Sequence, residues 1–425
     1  MNEQETQWSP MTLGSVADLN PPRPKLAGRS RDLPVLFVPM AAVDDVTGEV
    51  VAAETKTLAE LADKSYRTFT SNDVLFAKIT PCMENGKAAV VPVIPSGLGF
   101  GSTEFHVLRP KPGIEARFLW HFVRQEHFRR AAEQQMTGSV GQLRVPSAFL
   151  EDFPIAVPDE DTQRAIVHLL DETLEASRSA RIHVSSALKA VERFRESVLA
   201  AACSGALTED WRDENGAAAW TEQRAEDVCS KVQSGTTPKV WHGSDGVPFI
   251  KVYNIVDQKL NFDYRPQFIS ERLHRGALSR ARALPGDVLM NIVGPPLGKV
   301  AIVTDQYPEW SINQALTLFR PSARITSQWL YIFLSSGISL RQVIGQTRGT
   351  AGQANISLSQ CRDFPVPVPS VEEQIEIVRR VAEMFDLADM LRTRIEKVLQ
   401  TIGRSSQAAL SKAFRGELLN EAGPS

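Results

Sequence analysis

The feature that most constrains this chain is that half of it restates the other half. Phe153-Pro154-Ile155-Ala156-Val157-Pro158 returns as Phe364-Pro365-Val366-Pro367-Val368-Pro369, an offset of 211 in a chain of 425 residues. Arg109-Pro110 returns as Arg320-Pro321, Gln163 as Gln374, and Leu199, Gly205 and Leu207 as Leu410, Gly416 and Leu418. Gly138-Ser139-Val140-Gly141-Gln142 is echoed by Gly349-Thr350-Ala351-Gly352-Gln353. Upstream the offset drifts to 212–214, with Asp73-Val74-Leu75 matching Asp287-Val288-Leu289 and Gly86-Lys87 matching Gly298-Lys299. Drift of that kind marks loop insertions inside a large unit. Two copies at half-length predict a pseudo-dimer within one chain, not a solenoid, which needs at least three repeats.

Each copy has two segments. The first is rich in Pro, Gly and short β-branched or aromatic runs such as Val35–Val38, Ala88–Val91, Val247–Val252 and Val300–Val303. These read as strands, and helices are expected over Ala116–Ala132 and Ser327–Gly345, so the unit is α+β. The second segment is one long helix, Thr162–Ala202 and then Glu372–Ala413, with Pro158 and Pro369 just upstream and Gly403 the only internal breaker. A heptad in the later helix places Ile377, Met384, Leu391 and Val398 at one seam position and Val381, Ala388, Ile395 and Ile402 at the other. Its counterpart carries Ile166, Thr173, Ala180, Ala187 and Phe194, then Leu170, Ser177, Val184, Val191 and Val198. One seam is large and the other small, so the helices are expected to pair as an intramolecular coiled coil. A helix of about 40 residues is ~60 Å long, more than covering a domain requires, which suggests a spacer. The chain therefore divides into a globular region spanning residues 1–159, a helix over 160–206, a second globular region with its leading linker over 207–370, a helix over 371–418 and a tail, 419–425.

Charge has to be divided the same way. The chain total is −3, which lacks the basic excess common in nucleic-acid binders. Residues 1–158 carry a net −2, 159–219 a net −5, 220–369 a net +5 and 370–425 a net −1. The second globular region is thus basic, and phosphate binding draws on local clustering. Four cysteines (Cys82, Cys203, Cys229, Cys361) without a Cys-x-x-Cys pair argue against a zinc site or a disulfide framework. The opening residues lack a signal-peptide pattern, and no apolar run approaches the ~18 residues a membrane helix needs. A cytoplasmic protein is expected.

Signatures of chemistry fall short of completion. Asn20-Pro21-Pro22-Arg23 has the shape of an amino-methyltransferase tetrad, but Arg replaces the stacking aromatic. Gly294-Pro295-Pro296-Leu297-Gly298-Lys299 is one residue short of a P-loop, and its prolines remove the amides of a phosphate cradle. Asp45…Glu54-Thr55-Lys56 and Asp245…Asp257-Gln258-Lys259 fit a loose nuclease pattern, acidic–acidic-x-Lys, at non-equivalent places in the repeat. The seven histidines form no repeat-related pair. A binding protein is the expectation, with an autonomous DNA-cleaving or modifying enzyme, or a purely structural coiled-coil protein, as the alternatives.

In their order the residues resemble, twice over, the target-recognition unit of the specificity subunit of type I restriction–modification enzymes. The second copy carries Val232-Gln233-Ser234-Gly235-Thr236-Thr237-Pro238-Lys239 and Val247-Pro248-Phe249-Ile250-Lys251-Val252. It continues with Pro367-Val368-Pro369, Glu373-Gln374-Ile375 and Lys412-Ala413-Phe414-Arg415-Gly416-Glu417-Leu418. The first copy keeps Pro158…Gln163-Arg164-Ala165-Ile166 and Val198–Leu207, but departs at its start, where Asn20-Pro21-Pro22-Arg23-Pro24 stands. The resemblance implies two tandem target-recognition domains, each followed by a long helix, the helices pairing antiparallel with pseudo-twofold symmetry. It implies a non-catalytic subunit that reads a bipartite double-stranded DNA target and scaffolds two methyltransferase subunits and, usually, two motor–nuclease subunits. S-adenosylmethionine, ATP and magnesium would then belong to those partners, and this chain would bind no cofactor or metal and no membrane. By residue type and loop context, the candidate DNA contacts are Gln142 and Arg144, Arg348 and Gln353 in the corresponding segment of the second copy, then Lys87 and Lys299. Lys78, Thr236, Lys239, Lys251, Asn254 and Asn291 complete the set.

Overall fold

The Phe-Pro repeat closes a two-stranded ribbon in each copy. Ser9–Thr12 pairs antiparallel with Pro154–Val157, and Thr221–Arg224 pairs antiparallel with Pro365–Val368. The computed structural model describes residues 8–139, 141–238, 245–294, 296–346 and 355–421. They form two compact units, Met1–Ser185 with Lys397–Ser425, and Ser186–Glu396.

The first unit is built on two four-stranded sheets. One is antiparallel, in the order Ala17–Leu19, Phe105–Pro110, Val74–Ala77, Ala88–Val90. The other runs Glu54–Thr57, Pro34–Val38, Gly99–Gly101, Arg67–Phe69, with a parallel pairing at its centre. The second unit repeats both: Cys229–Ser234, Leu316–Pro321, Val288–Asn291, Val300–Ile302, and Phe268–Ile269, Val247–Ile250, Trp310–Ile312, Arg282–Ala283. The central strands are continuous apolar runs because both faces are covered: all four residues of Val74–Ala77, Val247–Ile250 and Val288–Asn291 are buried.

The same polar lock is set in each antiparallel sheet. Arg109 donates through Nε and Nη2 to the two oxygens of Asp73 at 2.9 and 2.8 Å. Arg320 does the same to Asp287, both at 2.8 Å. Each carboxylate also accepts a backbone N–H three residues upstream, from Thr70 and from Leu284. A buried carboxylate is tolerated when its lone pairs are answered in this way.

The expected single helices of the globular regions are each broken in two. Ala116–Val123 ends on Arg124, Gln125 is extended, and Glu126–Gln134 follows. Ser327–Ser335 ends before Gly337, which takes φ +67° and turns the chain into Ile338–Gln346. In the first unit the break lets Phe122 and Phe128 meet at 5.5 Å between ring centroids, and both pack on Phe153. That gain in apolar contact outweighs one interrupted turn of helix.

The long helices span Glu160–Ser204 and Val371–Phe414. The first unit packs the leading turns of one (Ile166, Leu170) with the closing turns of the other (Leu410, Ala413, Phe414). The second unit packs the remaining halves, Val198 and Ala202 with Ile377 and Val381, so the helices run antiparallel. The heptad does not persist as expected. Phe194, Leu391 and Val398 are 38, 41 and 47% exposed. Their places are taken by neighbours: Arg195 stacks at 4.0 Å on Phe385 and donates to Asp389 at 2.7 Å, and Arg392 pairs with Glu192. A straight helix drifts about 20° per heptad, so a strict repeat leaves the interface unless a strong seam forces supercoiling. Thr173, Ser177, Ala180 and Ala187 are too small or too polar to do so. Among the described residues, neither helix has a fully buried apolar side chain between Leu170 and Val191 or between Ala388 and Leu410.

Candidate nucleic-acid interface

In the first unit, polar side chains gather where the hairpin Thr137–Ser139/Gln142–Arg144 folds back on the central sheet. Thr80 N–H donates to Leu143 O at 3.0 Å, Val145 N–H to Lys78 O at 2.9 Å, and Ile79 bridges Arg144. Lys78 N–H in turn donates to Glu104 O at 2.9 Å. Lys78, just after Val74–Ala77, Glu104, just before Phe105–Pro110, and Arg144, at the end of Gln142–Arg144, are thereby brought side by side. Arg144 grips Glu104 with two bonds of 2.9 Å, which holds the Glu104 carboxyl below its usual range, with burial opposing. Partial burial lowers the Lys78 pKa, and Arg67 and Arg144 add like charge. Beneath them His106 accepts from Asn20 Nδ2 at Nδ1 (3.0 Å), which assigns the proton to Nε2 for donation to Val145 O (2.8 Å). Burial pushes His106 down to about 4, so it is neutral at pH 7.

The second unit builds the same backbone with other side chains. Ile292 N–H donates to Ala315 O, Ile356 N–H to Ile292 O, and Val293 bridges Asn355. Register therefore equates Lys78, Glu104 and Arg144 with Ile292, Ala315 and Asn355. One scaffold presents an acid–base cluster in one copy and an apolar pair with an amide in the other.

Gln142 and Thr236 are exposed, as their loop context suggested. Gly235 explains the Ser-Gly-Thr-Thr run. A Cβ there would lie 2.1 Å from Asn313 O, so only glycine lets the strand cross that backbone and hand Thr236 and Thr237 to solvent. Lys251 is partly buried and its amine lies 5.9 Å from the Tyr253 ring.

Four of the candidates belong to the fold instead. Asn254 and Asn291 are fully buried. Asn254 donates to Asn261 O and Tyr264 O, and Asn291 donates to Pro296 O while accepting Lys299 N–H. Buried amides spend their donors on loop carbonyls that would otherwise be unpaired, so none is left for a base edge. Lys87 and Lys299, equivalent in the repeat, both donate Nζ to a carbonyl, Met40 O at 3.2 Å and Ile255 O at 3.1 Å. They close loops in both copies. Lys239, Arg348 and Gln353 lie outside the described residues. Sequence reasoning missed Glu104, which lies 40 residues from Arg144 and carries no local signal, and Arg67.

The near-motifs resolve into structure. Asp257 and Gln258 have φ +49° and +59° and form the two-residue turn between Ile255–Val256 and Lys259–Leu260. Glu54 and Lys56 pair with each other at 2.9 Å. Among the described residues, no group of three or more His, Cys, Asp or Glu is placed to hold a metal, and no helix is long and apolar enough to cross a membrane.

A family model described as "Type I restriction modification DNA specificity domain" matches residues 5–182 and 218–400. The type I restriction enzyme EcoEI specificity subunit of Escherichia coli is 23% identical over 97% of this chain and 82% of its own length. The EcoKI specificity subunit of Escherichia coli (strain K12) is 28% identical over 73% of this chain and 68% of its own. A solved chain from a study of type I R-M complex assembly superposes with a TM-score of 0.78 at 22% identity, covering 98% of this chain and 100% of that one.

Proposed function

The chain belongs to the family of type I restriction–modification DNA specificity domains, and we propose that it reads a bipartite duplex with its two units and leaves the chemistry to partner subunits. Its role is DNA sequence recognition within a type I restriction–modification complex. The observation that carries the bipartite reading is the pair of equivalent positions, Lys78/Glu104/Arg144 against Ile292/Ala315/Asn355, on one twice-built scaffold. Identical frames with different edge groups suit two different half-sites: Arg favours guanine edges and carboxylates accept from cytosine, whereas the exposed amide of Asn355 suits adenine. Gln142 and Thr236 add exposed donors beside each frame, and Lys251 is retained as a weaker contact. Phosphate contacts would set register without reading sequence.

The antiparallel helices fit a scaffold for two methyltransferase subunits, with two motor–nuclease subunits in the full assembly and a cytoplasmic setting. S-adenosylmethionine, ATP and magnesium fall to those partners. The test is methylation mapping with the assembled complex. Arg144→Ala, and separately Glu104→Gln, should relax one half-site and leave the other intact. Relaxation of both, or of neither, would defeat the assignment. Purified alone with DNA, magnesium, ATP and S-adenosylmethionine, the chain should neither cut nor methylate, and product formation would favour the autonomous-enzyme alternative.

A further inference from the structure

The first unit contains a cavity of about 500 Å³ against the helix Ala116–Val123, and nothing in DNA reading accounts for its lining. Its floor is Trp120, whose N–H donates to Ala88 O at 2.9 Å. The guanidiniums of Arg117 and Arg124 both stack on this indole, each 4.7 Å from the ring centroid. The loop over them passes at Gly48, φ +66°, where a Cβ would come within 2.0 Å of Arg124 Nη1 and 2.3 Å of Trp120 Cζ2. Glycine is required for the lid to lie on the stack.

The cations here are answered unequally. Arg117 has Asp171, at 2.8 and 2.6 Å, and Asp171 also accepts from His121 Nε2 at 2.8 Å. Among the described residues, Arg124 donates to carbonyls, Asp45 O at 3.0 Å and Val46 O at 2.7 Å, and Arg129 to Glu84 O. Neither has a carboxylate at ion-pair distance among the described residues. Arg129 Nε and His121 Nδ1 are buried without a hydrogen-bond partner, and His121 is 1% exposed. Burial, and then the like charge of Arg129, push the Arg124 guanidinium down to about 10. Unpaired polar atoms and neighbouring like charges in a buried place are costly, and proteins keep them where a ligand completes the set.

The fold does not need them. At the offset of 211, Arg117, Trp120, His121, Arg124, Arg129 and Asp171 correspond to Gln328, Tyr331, Ile332, Ser335, Leu340 and Ala382. The second unit builds the same architecture without this charge.

We propose that this cavity binds the phosphate group of a small phosphorylated molecule, held by Arg124, Arg129 and His121. Arg129 Nε and His121 Nδ1 lack hydrogen-bond partners, Arg124 is answered by carbonyls and no carboxylate, and all three residues line the cavity. A tetrahedral phosphate can answer three such groups, whereas a flat carboxylate offers two oxygens. His121 Nδ1 is an acceptor in the tautomer that donates Nε2–H to Asp171, so it matches the P–OH of a singly protonated phosphate. The four carboxylates lining the cavity (Asp45, Glu49, Asp171, Glu175) nearly balance its five arginines, Arg178 and Arg181 among them, so a single phosphate suits it better than a polyanion such as a DNA strand.

The experiment uses the full chain and inorganic phosphate, against sodium chloride at equal ionic strength. Isothermal titration should show binding to the wild type, weakened about tenfold or more in Arg129→Met and in Arg124→Ser. The substituted side chains resemble those at the equivalent places of the second unit, so melting in chloride should be unchanged or higher. If Arg124→Ser fails to fold, Arg129→Met alone decides. Equal phosphate binding by wild type and Arg129→Met would overturn the proposal. So would loss of duplex-DNA affinity in Arg129→Met with a salt slope shallower by about one, which would put a DNA phosphate in the cavity.

Discussion

Gln163 and Gln374, 211 positions apart, make the same three hydrogen bonds. Gln163 Oε1 accepts Glu115 N–H at 2.9 Å while its Nε2 donates to Gly113 O and Pro158 O at 3.0 and 2.9 Å. Gln374 accepts Thr326 N–H at 2.8 Å and donates to Arg324 O and Pro369 O, both at 3.0 Å. Each amide is fully buried and ties the start of a long helix to the turn that opens an earlier helix of its own unit, Ala116–Val123 or Ser327–Ser335.

Removing either amide strands three buried backbone groups. Gln163→Leu and Gln374→Leu should each cost roughly 1–3 kcal/mol. For units of this size that is a melting-point fall of about 2–4 °C per kcal/mol, read by calorimetry. A change within error in both variants would mean that water replaces the amide.

Asp73 and Asp287 should behave as buried carboxylates, each with one charged partner, Arg109 or Arg320. Arg109→Met leaves Asp73, 1% exposed, without its fork, and a loss of about 3–5 kcal/mol is expected. Urea unfolding of the variant checks it, and Arg320→Met should match it.

His106 gives the first unit an acid sensitivity. Its folded value, about 4, lies below its ordinary 6.5, so between those values the unfolded chain binds the extra proton. Stability should therefore fall as pH drops from about 6.5 to 4 and level off below, by on the order of 3 kcal/mol in total. Urea midpoints across that range should flatten in His106→Gln. An unchanged slope would assign the effect to other groups.

Lys87→Met and Lys299→Met should lower the melting temperature and leave the salt slope of DNA binding unchanged, because both amines close loops. A slope shallower by about one in either variant would return that lysine to the DNA.

The helix seam makes a paired prediction. Ile377→Ala, at a buried site, should cost about 2–5 kcal/mol. Leu391→Gln, at an exposed one, should stay within ~0.5 kcal/mol, although the heptad assigns both the same role.

Much of this was legible because it is local. A duplicated string such as Phe-Pro-x-x-Val-Pro must build the same ribbon twice, and a proline-led run of about 40 residues with neither Pro nor Gly until Gly403 has helix as its only regular outcome. The charge of −3 gave way to a basic second globular region as soon as it was divided by segment. What escaped depends on partners distant in sequence. Asn254 and Asn291 looked like base readers because they are polar and sit in loops, and only the folded chain shows their donors spent on carbonyls. The heptad failed at Phe194, Leu391 and Val398 because a repeat of seven predicts an interface only if the seam is strong enough to bend the helices.

By itself the sequence determined the duplication, the α+β units, the two long helices and the resemblance that the family match bears out, since all of these follow from residue order and short-range periodicity. Tertiary structure alone decided which polar groups are free. It set Lys78, Glu104 and Arg144 against Ile292, Ala315 and Asn355 by strand register. It also left Arg129 Nε and His121 Nδ1 buried without hydrogen-bond partners in residues that line a cavity. Hydrogen-bond satisfaction is a property of neighbours in space, and no spacing along the chain encodes it.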